Sequence, residues 1–318
     1  MREKLLYHYC STQKCFSILK NNNLRMSDIG KSNDYTELNL LFPRIFSEIE
    51  FCYREKPFNF EYEGLFGFEA LSKLLNHSYR YWDEQFSYGK FYNYVVCFSE
   101  FSDSLSQWRG YADDAKGCNI GFSKQALESL CLASSEVLEL TKVTYLVDEG
   151  VDKLCYDQAL RILKQLKTYI SMIKLKFPNN ENEINTHIRN FLNYELEDAF
   201  TDSLKYKSYA FHEENEWRIY FKLAPSKSIL KTYSKNDEAI DSLYQRTTKF
   251  IKEKIGFMNT DDDIISYCQL DFKDFYENPV KEIWLGPKNK ARIDDVELFL
   301  KSNNYHGIDV FGSFIPYR

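Results

Sequence analysis

Residues 211–222 read FHEENEWRIYFK, and how this stretch is laid out decides the fold. Three carboxylates, Glu213, Glu214 and Glu216, run directly into Trp217, Arg218, Ile219, Tyr220 and Phe221. An extended strand has a side-chain period of two. That period predicts Glu214, Glu216, Arg218 and Tyr220 on one face, and Asn215, Trp217, Ile219 and Phe221 on the other. Two carboxylates and a guanidinium backed by Trp, Ile and Phe are what a strand lining a reactive cleft would carry. The plain alternative is an Arg218–Glu216 ion pair on an ordinary sheet surface. Charge pattern alone leaves both readings open.

Outward from this strand, the upstream chain alternates strand-like and helical runs. Residues 5–10 (LLYHYC) and 24–27 (LRMS) read as strands flanking a helix over 13–21 that Ser11 and Thr12 cap. His8 stands between Tyr7 and Tyr9, which a strand must send to the opposite face. Asp34 is placed to cap a helix running to about residue 53 and kinked at Pro43, and a second helix is expected over 65–92. Residues 94–99 (YVVCFS) are β-branched, aromatic and uncharged, the strongest strand signal in the chain. Gln107 and Trp108 fall in a short helix, and 118–122 (CNIGF) form a buried strand where Gly117 and Gly121 permit close backbone approach. A strand is expected over 138–147. Two long helices follow over 151–194, joined at 178–180. Downstream come a helix over 234–253, an acidic turn at 259–263, a strand at 283–286, a helix over 293–302 and a closing strand over 308–315. This pattern predicts a single α+β domain over 1–318, with 151–205 as a helical insertion within it.

The bulk numbers narrow the classes. Hydrophobic residues make up 44% of the 318, enough for a substantial core. No apolar run approaches the roughly 20 residues of a membrane span, and mean hydropathy is −0.49. No secretory signal pattern follows the charged N-terminus. The eight cysteines are scattered without a CxxC pair, which points to reduced thiols and a cytoplasmic setting. His8, Cys10 and Cys15 fit no standard zinc spacing. A net charge of −6 argues against a general nucleic-acid binder. One basic stripe stands out: Arg161, Lys164, Lys167, Lys174 and Lys176, with no acid from 158 to 180. It reads as a solvated helix face, or else as a contact for a phosphate backbone.

Three strands thus offer polar groups in apolar settings: His8–Tyr9, Ser99 with Glu100, and Glu214 with Glu216. Histidine first, serine in the middle and E-x-E last is an order similar to the ADP-ribosyltransferase superfamily, whose split sheet binds NAD across three such strands. At a narrower level, LYHY, SIL-xxxx-LRMS, ND-xx-E, CFSE, Q-W-xx-Y, G-xx-IGF, E-x-EWR, LGP and PYR resemble a widespread bacterial family of a domain of unknown function. These motifs run from Leu6 to Arg318.

The resemblance implies an α+β fold with an ADP-ribosyltransferase-like split β-sheet core and large helical insertions. It implies NAD as co-substrate, no metal, and ADP-ribose transfer to a macromolecular acceptor or to water, in the setting of a toxin or phage-defence effector. Glu216 would be the catalytic carboxylate, holding the 2′-OH of the nicotinamide ribose and stabilising an oxocarbenium-like transition state. Glu214 would orient the acceptor, and Arg218 would hold Glu216 ionised or contact a phosphate. His8 would bond a ribose hydroxyl, Tyr9 or Tyr35 would stack on nicotinamide, Ser99 would support the pocket, and Trp108 joins the cofactor-binding residues. Histidine on the first strand and a serine with E-x-E belong to different branches of the superfamily, so the acceptor stays open.

Two other classes remain. Asp34, Glu37, Glu214 and Glu216 could form the divalent-metal site of a nuclease, with Arg161, Lys164 and Lys167 guiding nucleic acid, although no lysine follows any of these acids by two residues. The fold could also be a nucleotide-binding or sensor module without chemistry. No GxGxxG or GxxxxGK[ST] run supports an ordinary dinucleotide or phosphate-loop site.

Overall fold

Alternating Leu, Tyr and His in the first strand, β1 (Leu5–Cys10), set up a sheet with two different faces. The computed structural model describes residues 3–29, 40–55, 68–87, 94–134, 138–221, 245, 249, 252–259 and 263–317. Those residues form a mixed α/β architecture around one large, mostly antiparallel sheet. After β1 come α1 (Thr12–Asn21), β2 (Asn23–Asp28), α2 (Phe42–Arg54), α3 (Phe68–Ser87), β3 (Tyr94–Ser99), α4 (Leu105–Tyr111), β4 (Cys118–Ser123) and α5 (Lys124–Ala133). The chain continues through β5 (Leu138–Lys142), β6 (Thr144–Leu146), α6 (Asp148–Lys176), α7 (Glu181–Ser203), β7 (Tyr206–Ser208) and β8 (Glu216–Phe221). It closes with β9 (Ile255–Asn259), β10 (Ile264–Asp271), β11 (Val280–Leu285), α8 (Ile293–Ser302) and β12 (Asp309–Gly312).

The sheet forks at β3. One edge of β3 pairs with β8 along five residues, from Val95↔Tyr220 to Ser99↔Glu216. The other edge is divided: Ser99 meets Tyr7 of β1, while Tyr94 and Val95 meet Asp28 and Ser27 of β2. From this fork one wing runs β1-β4-β11-β12 and the other β2-β10-β9, with β5 beyond β8.

Strand parity sorts the side chains. Leu6, Cys10, Val96, Phe98, Ile120, Phe122, Ile219 and Ile283 face a core with α1, α5 and α8. On the opposite face, Val95 and Tyr220 pack into a second core with α2, α3, α6 and α7. Further along that face, Tyr9 packs with Trp108 of α4 and with Ala112 just after it.

Several boundaries differ from the sequence reading. Pro43 opens α2 in its first turn, where a missing N–H costs nothing, and does not kink a longer helix. Asp34 and Tyr35 lie outside the described residues. The strand expected over 138–147 breaks at Val143, whose N–H goes to Glu216 O at 2.9 Å. The closing strand stops at Gly312 because the Phe314 N–H is taken by Asp103 Oδ2 at 2.9 Å. Among the described residues, no helix is long and apolar enough to cross a membrane.

Candidate active site

The carboxylate strand begins later than period two predicts. Residues Tyr209–Glu214 wind into a 3-10 helix that ends at Asn215, held left-handed at φ 44. Asn tolerates that conformation, and its side-chain amide donates to His212 O at 3.2 Å. Only at Glu216 does extended strand start. Glu214 is therefore not in strand register with Glu216, a correction to the sequence reading. Glu216, Arg218 and Tyr220 do share one face.

On that face the side chains form a closed ion cluster. Arg218 donates to both Glu216 oxygens, Nε to Oε1 at 2.7 Å and an NH2 nitrogen to Oε2 at 2.9 Å. A third Arg218 nitrogen donates to Leu204 O at 3.1 Å. Lys207, on β7, bridges Glu214 Oε2 at 2.7 Å and Glu216 Oε2 at 3.4 Å. Glu216 is 4% exposed and Arg218 1%. Burial alone would raise the Glu216 carboxyl, but the charges of Arg218 and Lys207 and hydrogen bonds from Arg218 and Cys97 outweigh it and hold it at about 2. The Glu216 N–H is donated to the Tyr145 hydroxyl at 2.8 Å, fixing the first residue of the strand.

Glu214 is the more open of the two carboxylates, with its side chain 12% exposed against 6% for Glu216. It accepts from the Tyr111 hydroxyl at 2.7 Å. The Tyr111 residue, last in α4, is half exposed. Ser99 donates to the backbone carbonyl of Glu214 at 2.8 Å, so the serine fixes the approach to the strand. Cys97, directly opposite Arg218, is the one exposed residue of β3. On its other edge β3 passes from β2 to β1 at this point, so Cys97 lies between the two pairings and its side chain is exposed at the fork of the sheet.

His8, Tyr9 and Trp108 are placed differently from their expected roles. Register pairs Tyr7 with Ser99 and Ser99 with Glu216. By parity His8 projects from the other face, where its ring meets the edge of Phe98 at 6.0 Å. Its Nδ1 lies 2.9 Å from Cys97 O, and desolvation lowers its pKa. The histidine therefore does not join Glu216. Tyr9 is on the correct face but is spent on structure: its hydroxyl donates to Phe101 O at 2.8 Å and its ring meets Trp108 edge-on at 4.7 Å. Trp108 is fully buried and donates to Asp103 Oδ1 at 2.7 Å. Neither ring presents a free surface for stacking, which corrects both assignments. Glu100 is likewise occupied, accepting from Trp217, Lys142 and Lys4.

Arg161 donates to Glu195 of α7 at 2.8 Å and to Gln158 and Gln165, so it serves helix pairing. Lys164 and Lys167 are exposed on the same helix. Among the described residues, no group of three or more His, Cys, Asp or Glu is placed to hold a metal ion. Asp34 and Glu37 lie outside those residues.

Lys207, Tyr111 and Cys97 are the site residues that sequence reading missed. Lys207 carries no local signal, because its partners are seven and nine residues away across a helical turn. Tyr111 was visible as the last residue of Q-W-xx-Y.

Residues 107–219 match the model of a family described as "Protein of unknown function (DUF2971)", in line with the expected membership of such a family. The matched segment holds Tyr111, Lys207, Glu214, Glu216 and Arg218, and excludes His8, Tyr9 and Ser99. No curated protein and no solved structure matches the chain.

Proposed function

We propose that this chain cleaves the bond between nicotinamide and ribose in NAD and passes ADP-ribose to a macromolecular acceptor or to water, with the fork of the sheet beside Cys97 and Glu214 as its site. The observation that carries this reading is a partly exposed carboxylate, Glu214, joined through Lys207 to a buried ionised one, Glu216. In the reaction the C1′–N1 bond breaks and its electron pair neutralises the pyridinium nitrogen of the leaving nicotinamide. Positive charge then develops on C1′ and the ring oxygen until the acceptor's nucleophile adds and loses its proton. Fixed negative charge near C1′ favours that transition state, and an oriented ribose hydroxyl keeps it in place.

Glu214 suits the contact with ribose because it is the more exposed of the two carboxylates and one of its oxygens is held by a half-exposed tyrosine. Glu216, with both oxygens bound by Arg218, suits the role of holding Arg218 and Lys207, and through Lys207 the Glu214 carboxylate. The half-exposed Tyr111 and the exposed Phe211 offer ring surfaces for a base. The fork of the sheet at β3 agrees with the split sheet that the resemblance to ADP-ribosyltransferases implies.

The saturation of Glu216 favours one second reading, a module that binds NAD without cleaving it. Incubating the protein with adenylate-labelled NAD and cell lysate separates the two. Labelled macromolecules with wild type that disappear with Glu214→Gln support transfer. Saturable NAD binding without label or nicotinamide release supports the binding module, and absence of binding contradicts both.

A further inference from the structure

Gln107 is a polar side chain with no evident purpose in the fold. It is 6% exposed, and its Nε2 has no hydrogen-bond partner among the described residues. Buried amide donors in folded proteins are nearly always satisfied, and an exception calls for a ligand, a water or a functional explanation. Its position suggests which. Gln107 precedes Tyr111 by four residues in α4, so the two lie on one helix face. Trp108, the next residue, turns into the packing around Tyr9 together with Ala112, which caps the helix. Tyr111 reaches Glu214, and α4 packs against the 3-10 helix that presents Glu214. Gln107 thus stands one helical turn before Tyr111, the residue that binds Glu214, in a helix packed against the 3-10 helix of the proposed site.

A glutamine amide offers a donor beside an acceptor. Its best complement is an edge with an acceptor beside a donor, which NAD carries twice: in the nicotinamide carboxamide and in the adenine ring with its 6-amino group. The bond to be cleaved lies at the nicotinamide end, next to the ribose assigned to Glu214. Resting on the NAD reading above, we infer that the Gln107 side-chain amide is the specificity-determining contact that reads the nicotinamide carboxamide.

The test is calorimetric titration of wild type, Gln107→Leu and Gln107→Glu with NAD, with nicotinic acid adenine dinucleotide and with nicotinamide hypoxanthine dinucleotide. The acid analogue alters the carboxamide, and the hypoxanthine analogue alters the adenine edge. Wild type should prefer NAD to the acid analogue by about tenfold and bind the hypoxanthine analogue as it binds NAD. Gln107→Leu should bind NAD about tenfold more weakly and lose the preference. Gln107→Glu keeps the acceptor and repels a carboxylate, so it should reject the acid analogue more strongly than wild type does, and it serves if Gln107→Leu does not fold. Wild type that binds NAD with a preference unchanged in the variants overturns the inference while sparing the NAD reading. Rejection of the hypoxanthine analogue in place of the acid assigns Gln107 to adenine and overturns the carboxamide contact. No NAD binding by wild type overturns both.

Discussion

Glu216 illustrates how a buried charge is held. Two hydrogen bonds from Arg218 and one from Lys207 satisfy both of its oxygens. Its carboxyl is held at about 2, below the ordinary 4.5. A carboxyl whose pKa is lower in the folded protein stabilises the fold above its unfolded pKa and loses that contribution as pH falls through the folded one. Glu216 therefore contributes fully above about pH 4.5, and the contribution fades between there and about pH 2. Acid unfolding followed by circular dichroism should show a steep loss in that window, shallower in Glu216→Gln. Glu100, also held at about 2 against the burial that opposes it by bonds from Trp217, Lys142 and Lys4, adds to the same window.

Breaking the buried cluster also has a cost at neutral pH. Glu216→Gln leaves Arg218 and Lys207 short of a counter-charge and should destabilise by about 3–5 kcal/mol in denaturant unfolding. Glu214→Gln takes the 2.7 Å partner from buried Lys207 and should cost about 2 kcal/mol, less than Glu216→Gln because Glu216 keeps its charge beside Lys207. Activity at both positions is read against the folded fraction measured in the same sample.

At the scale of elements, the glycines set how closely strands and turns approach. A Cβ on Gly117 would lie 2.2 Å from Cys10 O and 2.8 Å from Ala112 O. Both are backbone atoms, so nothing can give way cheaply. Gly117→Ala should destabilise by about 3 kcal/mol, read as a lowered denaturant midpoint with an unchanged slope. This close approach was legible in the sequence, as were β1, α1, β3, β4 and α8, because each has strong periodicity or a clear cap. Ser11 caps α1 by accepting from Lys14 N at 3.3 Å, as its position before the helix suggests.

The carboxylate stretch was legible only in part. Period two placed Glu216, Arg218 and Tyr220 on one face correctly, but could not register that Asn215 would turn left-handed and take Glu214 out of the strand. Strands β9 and β10 were missed, and β10 finds its place by pairing with β2 more than two hundred residues earlier in the chain. No local pattern encodes such a partner.

Across the whole molecule, among its described residues, α1, α5 and α8 cover one face of the sheet, a helical block and α4 cover the other, and Cys97 is exposed where the sheet forks. Seven of the eight cysteines are buried and Cys97 is exposed. Thiol titration of the native protein should thus show one fast-reacting group, and NAD bound beside Cys97 should slow it several-fold. Equal reactivity with and without saturating NAD would place the ligand elsewhere. The candidate site was hidden from sequence reading at this scale because it joins α4, β3, β7 and β8, and Lys207 and Tyr111 become neighbours of Glu214 only when those elements pack. His8 failed for the same reason in reverse: its motif is plain, but strand register turns it to the other face.

The most direct measurement is nicotinamide release from NAD by purified wild type and by Glu214→Gln, with folding of both checked by circular dichroism. Wild type should release nicotinamide steadily, and the variant should lose at least about a hundredfold of that rate. Equal release by the two folded proteins, or none by folded wild type in the presence of lysate, would contradict it.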